Sequence, residues 1–271
     1  MERIFPKLYR FTHEPYPGVT KECYHYFYLL LRKQGNLFIG HCQYGSNVEK
    51  FFDEIDELGG ISDQFVAHYF DAHKKVNDAL YVHFGCKLHY HEEARKILRS
   101  KTKCPEIEFG DDGVRLGQDF RVFPFPGSRP GRTILWWQSG GKGFLFTGHS
   151  IRSSEQEWQV DYSPYAKPHL RPQIDELSKL RIDYTMPTRS SDGYEQFHEL
   201  TKETKRSFAE TIAIRTMTRA EFVRATEEDR NVVRGERCAV NKNRVTQKAV
   251  EAEARLIRDC WKAVWVQTNH R

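Results

Sequence analysis

The sequence of 271 residues lacks any long hydrophobic run. No stretch approaches the roughly 18 consecutive apolar residues that indicate a transmembrane helix, so we expect no membrane span. The N-terminal residues, Met1–Pro6, also lack the charged segment followed by an apolar segment that marks a secretory signal. From the sequence alone we therefore expect a cytoplasmic protein that does not associate with membranes.

Closely spaced cysteine pairs are also absent. The six cysteines are far apart and none forms a Cys-x-x-Cys motif, which excludes thioredoxin-like centres and the common zinc fingers. Without an export signal, we expect the thiols to be reduced. The chain has no nucleophile elbow, phosphate-binding loop or dinucleotide-binding glycine motif, so several large enzyme classes are excluded.

The net charge is small, +5, but it is unevenly distributed. From residue 201 onward there are 16 Lys and Arg residues against 10 Asp and Glu residues, which leaves residues 1–200 near neutral. A basic segment can bind nucleic acid or an acidic partner, or can simply be a solvated surface. The basic residues are not interleaved with aromatic ones as in RNA-binding modules, so we do not expect nucleic acid to be the main partner.

Hydrophobic patterning predicts strands in two groups, each followed by helices. The predicted strands are at 8–11, 24–31, 37–39, 65–67, 87–90, 120–125, 133–138, 144–147 and 182–185. The predicted helices are at 48–58, 76–80, 92–98 and 174–180. This order indicates two sheets with helices packed outside them, an α/β layered arrangement.

After about residue 195 the pattern becomes helical. Thr218–Glu221 has the residues of a capping box, and an apolar stripe at helical spacing runs from Val245 to Val264. Trp261 and Trp265 share one face of this predicted helix. The stripe could pack on the domain, or it could form a homodimer or protein-partner interface, where aromatic residues are enriched.

Two histidines and an aspartate, His68, Asp71 and His73, follow a predicted buried strand and precede a predicted helix. Imidazole and carboxylate groups are zinc ligands, so a metal site could be built at this turn. His89 and His91 alternate on one predicted strand and therefore share a face, but we do not assign them as ligands.

The turn resembles the metal-binding motif of the metallo-β-lactamase superfamily, His-x-His-x-Asp-His. Other segments resemble elements of that family in the same order along the chain: 38–42, 84–94, 125–131, 145–150 and 186–189. The resemblance covers roughly Leu8 to Phe197 and implies a metallo-β-lactamase-like four-layer αββα sandwich over residues 1–200. Residues 201–271 would then form a basic helical C-terminal extension.

The resemblance also implies a degenerate metal site. His68 and His73 match family ligands, whereas the remaining ligand positions carry Phe70, Ala72, Ser128, His149 and Arg189. Phenylalanine and alanine offer no lone pair and arginine repels a cation, so we expect no standard two-metal site. Gly40 replaces an aspartate that would support the ligands. His68, His73 and His149, joined by Asp71, could still hold a single zinc or iron ion; otherwise these histidines are ordinary pocket residues and no metal binds.

Four residues lie on loops that the resemblance places around the former metal site: Ser128, Arg129, Arg132 and Arg189. Guanidinium groups match carboxylate and phosphate geometry, so these residues are candidates for binding a small anionic ligand. Alternatively, the arginines pair with nearby acids such as Asp71, or they point to solvent.

Three functions fit these residues. The first is a non-catalytic binding or scaffold protein with a degenerate metal site. The second is a metal-dependent hydrolase, or a redox enzyme, with a reduced mononuclear site at His68, His73 and His149. The third is an inactive nuclease homologue associated with nucleic acid, because the superfamily includes nucleases and their inactive partners.

Overall fold

The computed structural model describes residues 1–13, 23–40, 48–68, 71–98, 102–125, 131–148, 150–154, 157–160, 175–177, 179–191, 197–202, 204–205 and 208. Strands are the main regular secondary structure among them. The strands are β1 (Glu2–Phe5), β2 (Leu8–His13), β3 (Cys23–Leu30), β4 (Leu37–Ile39), β5 (Asp63–Phe65), β6 (Lys87–His91), β7 (Glu106–Phe109), β8 (Val114–Leu116), β9 (Phe120–Pro124), β10 (Thr133–Ser139), β11 (Lys142–Gly148), β12 (Ile151–Ser154), β13 (Glu157–Val160), β14 (Tyr184–Pro187), β15 (Arg189–Ser191) and β16 (His198–Glu199).

The described helices are short. They are α1 (Phe52–Glu57), α2 (Lys74–Phe84) and α3 (Arg95–Leu98), and the 3-10 segments Val48–Phe51 and Glu92–Ala94 lead into α1 and α3. Gly85 ends α2 in the left-handed conformation and donates its N–H to the carbonyl of Tyr81, a common helix stop. Within the described ranges, none of the helices has the length and apolar composition that crossing a bilayer requires.

The first sheet has eight strands in the order β1-β2-β3-β4-β5-β6-β7, with β15 also paired to β3. Strands β1 to β4 are antiparallel neighbours, whereas β4 to β7 are parallel. Because parallel strands point the same way, the carboxyl ends of β4, β5 and β6 lie at one edge of the sheet.

The second sheet has six strands in the order β16-β14-β11-β10-β9-β8. Its pairs are antiparallel except for β11 and β14, which run in parallel. Strands β12 and β13 form a separate two-stranded ribbon. The chain passes from β14 in the second sheet directly to β15 in the first, so it joins the two sheets at one edge.

The two sheets pack face to face. The core between them combines alternate residues of β3 and β4 with alternate residues of β10 and β11: Tyr26, Tyr28, Leu30, Leu37, Ile39, Leu135, Trp137, Phe144 and Phe146. Each such side chain contributes roughly 1.5–3 kcal/mol by leaving water. The period of two along each strand therefore fixes which face of each sheet is internal.

The outer face of each sheet carries a second layer. On the first sheet, Phe27, Leu29 and Phe38 pack with residues from the helical segments: Val48, Ile55, Val76 and Leu80. On the second sheet, Ile134 and Leu145 pack with residues further along the chain: Leu177, Ile182, Leu200 and Phe208. The order of layers is that of an αββα sandwich, as predicted.

Arg32 joins the two sheets just after β3. Its side chain is 2% exposed and binds both carboxylate oxygens of Asp119, at 2.9 Å from Nε and 2.7 Å from Nη2. The guanidinium also donates to the carbonyl of Leu116 and lies over the ring of Phe120. Burial alone would raise the pKa of Asp119, but the bonds and charge of Arg32 outweigh it, so this pKa lies below its ordinary value.

We expect Arg32→Met to lower the free energy of unfolding at pH 7 by about 2 kcal/mol, since it leaves a partly buried carboxylate without its partner. A depressed pKa contributes stability above the unfolded value near 4, and this stability is lost as pH falls through the folded pKa. The deficit of Arg32→Met should therefore shrink in urea unfolding at about pH 3. An equal deficit at both pH values would assign the loss to packing instead.

Most predicted strands are confirmed within two residues, including the one at 37–39. The strand predicted at 65–67 lies earlier, at Asp63–Phe65, and the one at 182–185 lies later, at Tyr184–Pro187. Strands such as β1, β7 and β8 were not predicted, because they are short and rich in charged residues. The predicted C-terminal helices, including Val245 to Val264, lie outside the described residues.

Candidate functional site

The candidate site is the edge where β4, β5 and β14 end. Gly40, directly after β4, donates its N–H to the carbonyl of Phe65 at 3.2 Å. Val66, directly after β5, donates its N–H to the carbonyl of His89 on β6 at 3.1 Å. The backbone thus holds the starts of both loops in register, and the loop after β5 is the histidine-containing turn.

The turn connects β5 to α2. Asp71 donates its N–H to the carbonyl of His68 at 2.8 Å, a backbone hydrogen bond within the turn. His68 is 1% exposed and Asp71 is also buried, whereas His73 is half-buried. His73 immediately precedes α2 in extended conformation, and its carbonyl accepts the N–H of Asn77 at 2.9 Å. The structure therefore places these three predicted residues on one turn.

A buried polar cluster lies behind the turn. The Oδ1 atom of Asn77 accepts the N–H of His73 at 2.9 Å, and its Nδ2 donates to Gln64 Oε1 at 3.0 Å. Gln64 Nε2 in turn lies 2.9 Å from the sulfur of Cys86, while the thiol of Cys104 donates to the carbonyl of Asn77 at 3.0 Å. This cluster fixes the backbone of the turn, and the sequence analysis did not identify it.

Burial raises the pKa of Cys86 to about 12. It also raises the pKa of Cys104 above its ordinary value. Both cysteines are free and buried, so at neutral pH they are thiols that serve as weak hydrogen-bonding groups. Their role here is to support Gln64 and Asn77 rather than to act as nucleophiles.

The second sheet contacts the turn at Ala67. The carbonyl of Ala67 accepts the N–H of Thr133, the first residue of β10, at 3.0 Å. A Cβ atom built on Gly148, at the end of β11, would lie 3.1 Å from the Cβ of Ala67. The residues that immediately precede His68 and His149 are therefore in close contact, although His149 itself lies outside the described residues.

The chain after β14 reaches the same edge. The carbonyl of Thr188 accepts the N–H of Tyr26 at 2.9 Å, and the carbonyl of Pro187 accepts the hydroxyl of Tyr28 at 2.5 Å. The methyl group of Thr188 lies 3.1 Å from the position of a Cβ on Gly40. Arg189 then pairs with His25 through the backbone of β15, while its side chain lies outside the described residues.

Ala72 has an apolar environment. It is 2% exposed and belongs to a cluster with Val66, Leu88, Tyr90 and Ala94. This is the position at which the sequence resemblance implies a metal-binding aspartate. A charged carboxylate there would have to leave water and enter a hydrophobic cluster, which costs free energy unless a cation or hydrogen bonds compensate it.

His89 and His91 have carboxylate partners away from the turn. His89 Nε2 lies 2.7 Å from Asp63 Oδ1, and the ring stacks on Phe65. Burial would raise the pKa of Asp63, but its bonds with His89 and Ser62 outweigh this and lower it. His91 Nε2 lies 3.1 Å from an Asp111 oxygen. Both histidines support the sheet.

Of the predicted anion-binding residues, Arg132 is described and buried. Its carbonyl accepts the N–H of Phe125 at 2.9 Å, which closes the loop between β9 and β10. Ser128 and Arg129 belong to that loop and lie outside the described residues, as does His149. Within the described ranges there is no cluster of three or more His, Cys, Asp or Glu residues that could hold a metal ion. Because His149 lies outside the described residues, the predicted grouping of His68, His73 and His149 stays a prediction.

Comparison with solved structures decides the fold. A metallo-β-lactamase from Pontibacter korlensis matches with a TM-score of 0.55 and 13% identity over 78% of this chain and 97% of that chain. DIM-1 metallo-β-lactamase matches with a TM-score of 0.56 and 14% identity over 78% and 95%. TMB-1 matches with a TM-score of 0.56 and 18% identity over 78% and 97%. The chain has the metallo-β-lactamase fold.

At these low identities the metallo-β-lactamase fold is what the likeness establishes. No family model and no curated protein matches the sequence. A fold can host many activities, so the function must be argued from the residues at the edge between the sheets.

Proposed function

We propose that this metallo-β-lactamase-fold protein has a degenerate metal site and acts as a non-catalytic binding or scaffold protein. The observation that carries the proposal is the environment of Ala72. Its methyl group lies in a hydrophobic cluster with Val66, Leu88 and Tyr90, at the position where the family motif has an aspartate. An apolar cluster at a ligand position supports loss of the metal rather than a change of metal.

The chemistry of the remaining positions points the same way. A two-metal site needs lone pairs from each ligand, and Phe70 and Ala72 have none. Ser128 is a poor zinc ligand, and the guanidinium of Arg189 repels cations. The residues present therefore do not fit a two-metal centre.

Gly40 and Thr188 add a packing argument. The family resemblance implies an aspartate at position 40, yet its side chain would meet the Thr188 methyl group and the Tyr26 carbonyl at about 3.1–3.2 Å. Gly40 also has a φ of +75°, which disfavours other residues. Since an aspartate at position 40 would be crowded by its neighbours and held in a strained backbone conformation, we expect that restoring single ligands does not restore the site.

The proposed ligand is a small anion. Ser128, Arg129, Arg132 and Arg189 are the residues we propose to bind it, because arginine recognises carboxylate and phosphate. A protein partner or a second copy of the chain, bound through the predicted C-terminal helix, is a further part of this proposal. We also propose that the protein is cytoplasmic.

Metal content tests the proposal. We expect tag-free protein purified without chelator to contain far less than one zinc or iron ion per chain by plasma mass spectrometry, even after zinc is offered. The control is His73→Ala, which should give the same background value. Near-stoichiometric metal that is lost in His73→Ala would contradict the proposal.

The second candidate is a metal-dependent hydrolase, or a redox enzyme, with a mononuclear site. One observation favours it: His68 and His73 share a turn, and Ala67 contacts Gly148, which precedes His149. His68, His73 and His149, with Asp71, are the donors that could hold zinc or iron, and such an ion would activate water at neutral pH. The inactive nuclease hypothesis gains no separate support, since most of the basic segment lies outside the described residues.

A further inference from the structure

A second arginine, Arg10 on β2, lies in the interior between the two sheets. Leu8, two residues earlier, belongs to the core between the sheets, whereas Phe11 packs on the outer face. The alternation of strand side chains therefore directs Arg10 inward. Arg10 pairs in register with Tyr28, and the Tyr28 hydroxyl donates to the carbonyl of Pro187 at the candidate site.

The guanidinium of Arg10 is buried but only partly used. The residue is 3% exposed, Nη2 pairs with the carboxylate of Glu2, and the group lies 5.3 Å from the centre of the Tyr26 ring. Among the residues that the structure describes, Nε and Nη1 have no hydrogen-bond partner. A buried cation with unused donors is costly, since each guanidinium N–H normally has an acceptor.

The partner of Arg10 indicates how an anion could reach it. The side chain of Glu2 is 62% exposed, yet its carboxylate contacts the buried guanidinium. A carboxylate that is largely in water thus already occupies one donor of Arg10. Two of the three guanidinium nitrogens, Nε and Nη1, remain for another oxyanion, and Glu2 competes with that anion for Nη2.

Thr188 supplies a second unused group next to the same tyrosine. Its backbone carbonyl binds the N–H of Tyr26, the ring of which faces Arg10. The hydroxyl of Thr188 is buried and, like two nitrogens of Arg10, has no hydrogen-bond partner within the described part of the chain. Both residues thus contact Tyr26, Arg10 through the ring and Thr188 through the backbone, and a guanidinium with unused donors is the group that recognises carboxylate or phosphate oxygens.

We infer that Arg10, beside the ring of Tyr26, forms an anion subsite that binds a carboxylate or phosphate group of the ligand. This inference rests on the proposed function, because it assumes that the edge between the sheets binds a ligand. Arg10 would thus extend the proposed anion site from the loops of the former metal site to the core-facing side of β2. Glu2 would then compete with the anion, because the bound anion must either displace the Glu2 carboxylate or bind to Arg10 beside it.

The test is a titration of chelator-treated full-length protein with inorganic phosphate and, separately, with succinate at constant ionic strength. Binding is measured by calorimetry, and the Nε–H resonance of Arg10 is followed by NMR in arginine-labelled protein. Arg10→Met should weaken binding at least roughly tenfold, the loss expected for a charge-assisted hydrogen bond. Arg3→Met is the matched control, since it removes the same charge from an exposed position on β1 and should change little.

Glu2→Gln keeps the test informative if Arg10→Met does not fold. Removing the competing carboxylate should tighten phosphate or succinate binding and shift the Arg10 resonance at lower anion concentration. Tighter binding of phosphate or of succinate would show whether the ligand group is a phosphate or a carboxylate, and either result supports the subsite. No binding by wild type and Glu2→Gln, or equal binding by Arg10→Met, would overturn it. Because the protein is metal-free here, this failure is separate from that of the proposed function, which metal content decides.

Discussion

Replacing Gly143 by alanine should lower the free energy of unfolding by about 4 kcal/mol. A Cβ on Gly143 would lie far inside the 3.0 Å below which real Cβ contacts are essentially absent, and the atom it meets is the backbone carbonyl oxygen of Arg181. That oxygen already accepts the indole N–H of Trp136 at 2.8 Å. Gly143 also donates to Asp183 at 2.8 Å and accepts from its N–H at 2.8 Å. Overpacking and the loss of these bonds should therefore act together.

Gly141 in the same hairpin is the control. It has a φ of +73° but nothing within 4 Å of the place where an alanine methyl group would lie, so alanine there should cost only about 1 kcal/mol of backbone strain. Urea unfolding followed by tryptophan fluorescence compares the two variants. Equal losses would show that the Arg181 segment moves aside easily, and would contradict the expected rigidity at Gly143.

Replacing Ala72 by aspartate should cost about 3 kcal/mol and should not create zinc binding. The new carboxylate would have to leave water and enter the hydrophobic cluster of Val66, Leu88 and Tyr90. Burial would raise its pKa, so the loss should be largest at pH 8 and smaller at pH 5, where the carboxyl group can be neutral. Urea unfolding at both pH values, with and without zinc, measures this.

Ala72→Asn is the matched control, because it has nearly the same shape and no charge. Its loss should not depend on pH, so the difference between the two variants isolates the cost of the charge. If zinc instead stabilised Ala72→Asp but not Ala72→Asn, the position would still act as a metal ligand. That result would favour the mononuclear hydrolase over the binding protein.

Much of the fold could be predicted from the sequence. Buried strands such as β4 and β10 are dense in apolar residues and end at turn residues, so their pattern is strong. The edge strands β1 and β7 have the sequences Glu-Arg-Ile-Phe and Glu-Ile-Glu-Phe, in which charges on an exposed face hide the period of two. Their identity as strands depends on pairing with neighbours that the local sequence pattern does not reveal.

The candidate site was predictable only where it had a motif. His68 and His73 could be located from their spacing, but Gln64 and Asn77 look like ordinary polar residues until their burial is known. The close packing of the Thr188 methyl group against Gly40 joins residues almost 150 positions apart, and no local sequence pattern predicts it. Arg10 did leave a signal, because it interrupts the apolar and aromatic run from Leu8 to Phe11 within a predicted strand.

Cys86 and Cys104 lie beneath Gln64 and Asn77, and the latter belongs to α2. Burial shields both thiols and keeps them protonated, so we expect an alkylating reagent to modify them only during local opening of the packing around them. The rate at which these two cysteines are modified should therefore report how often the packing behind the histidine turn opens, with no label added to the turn itself.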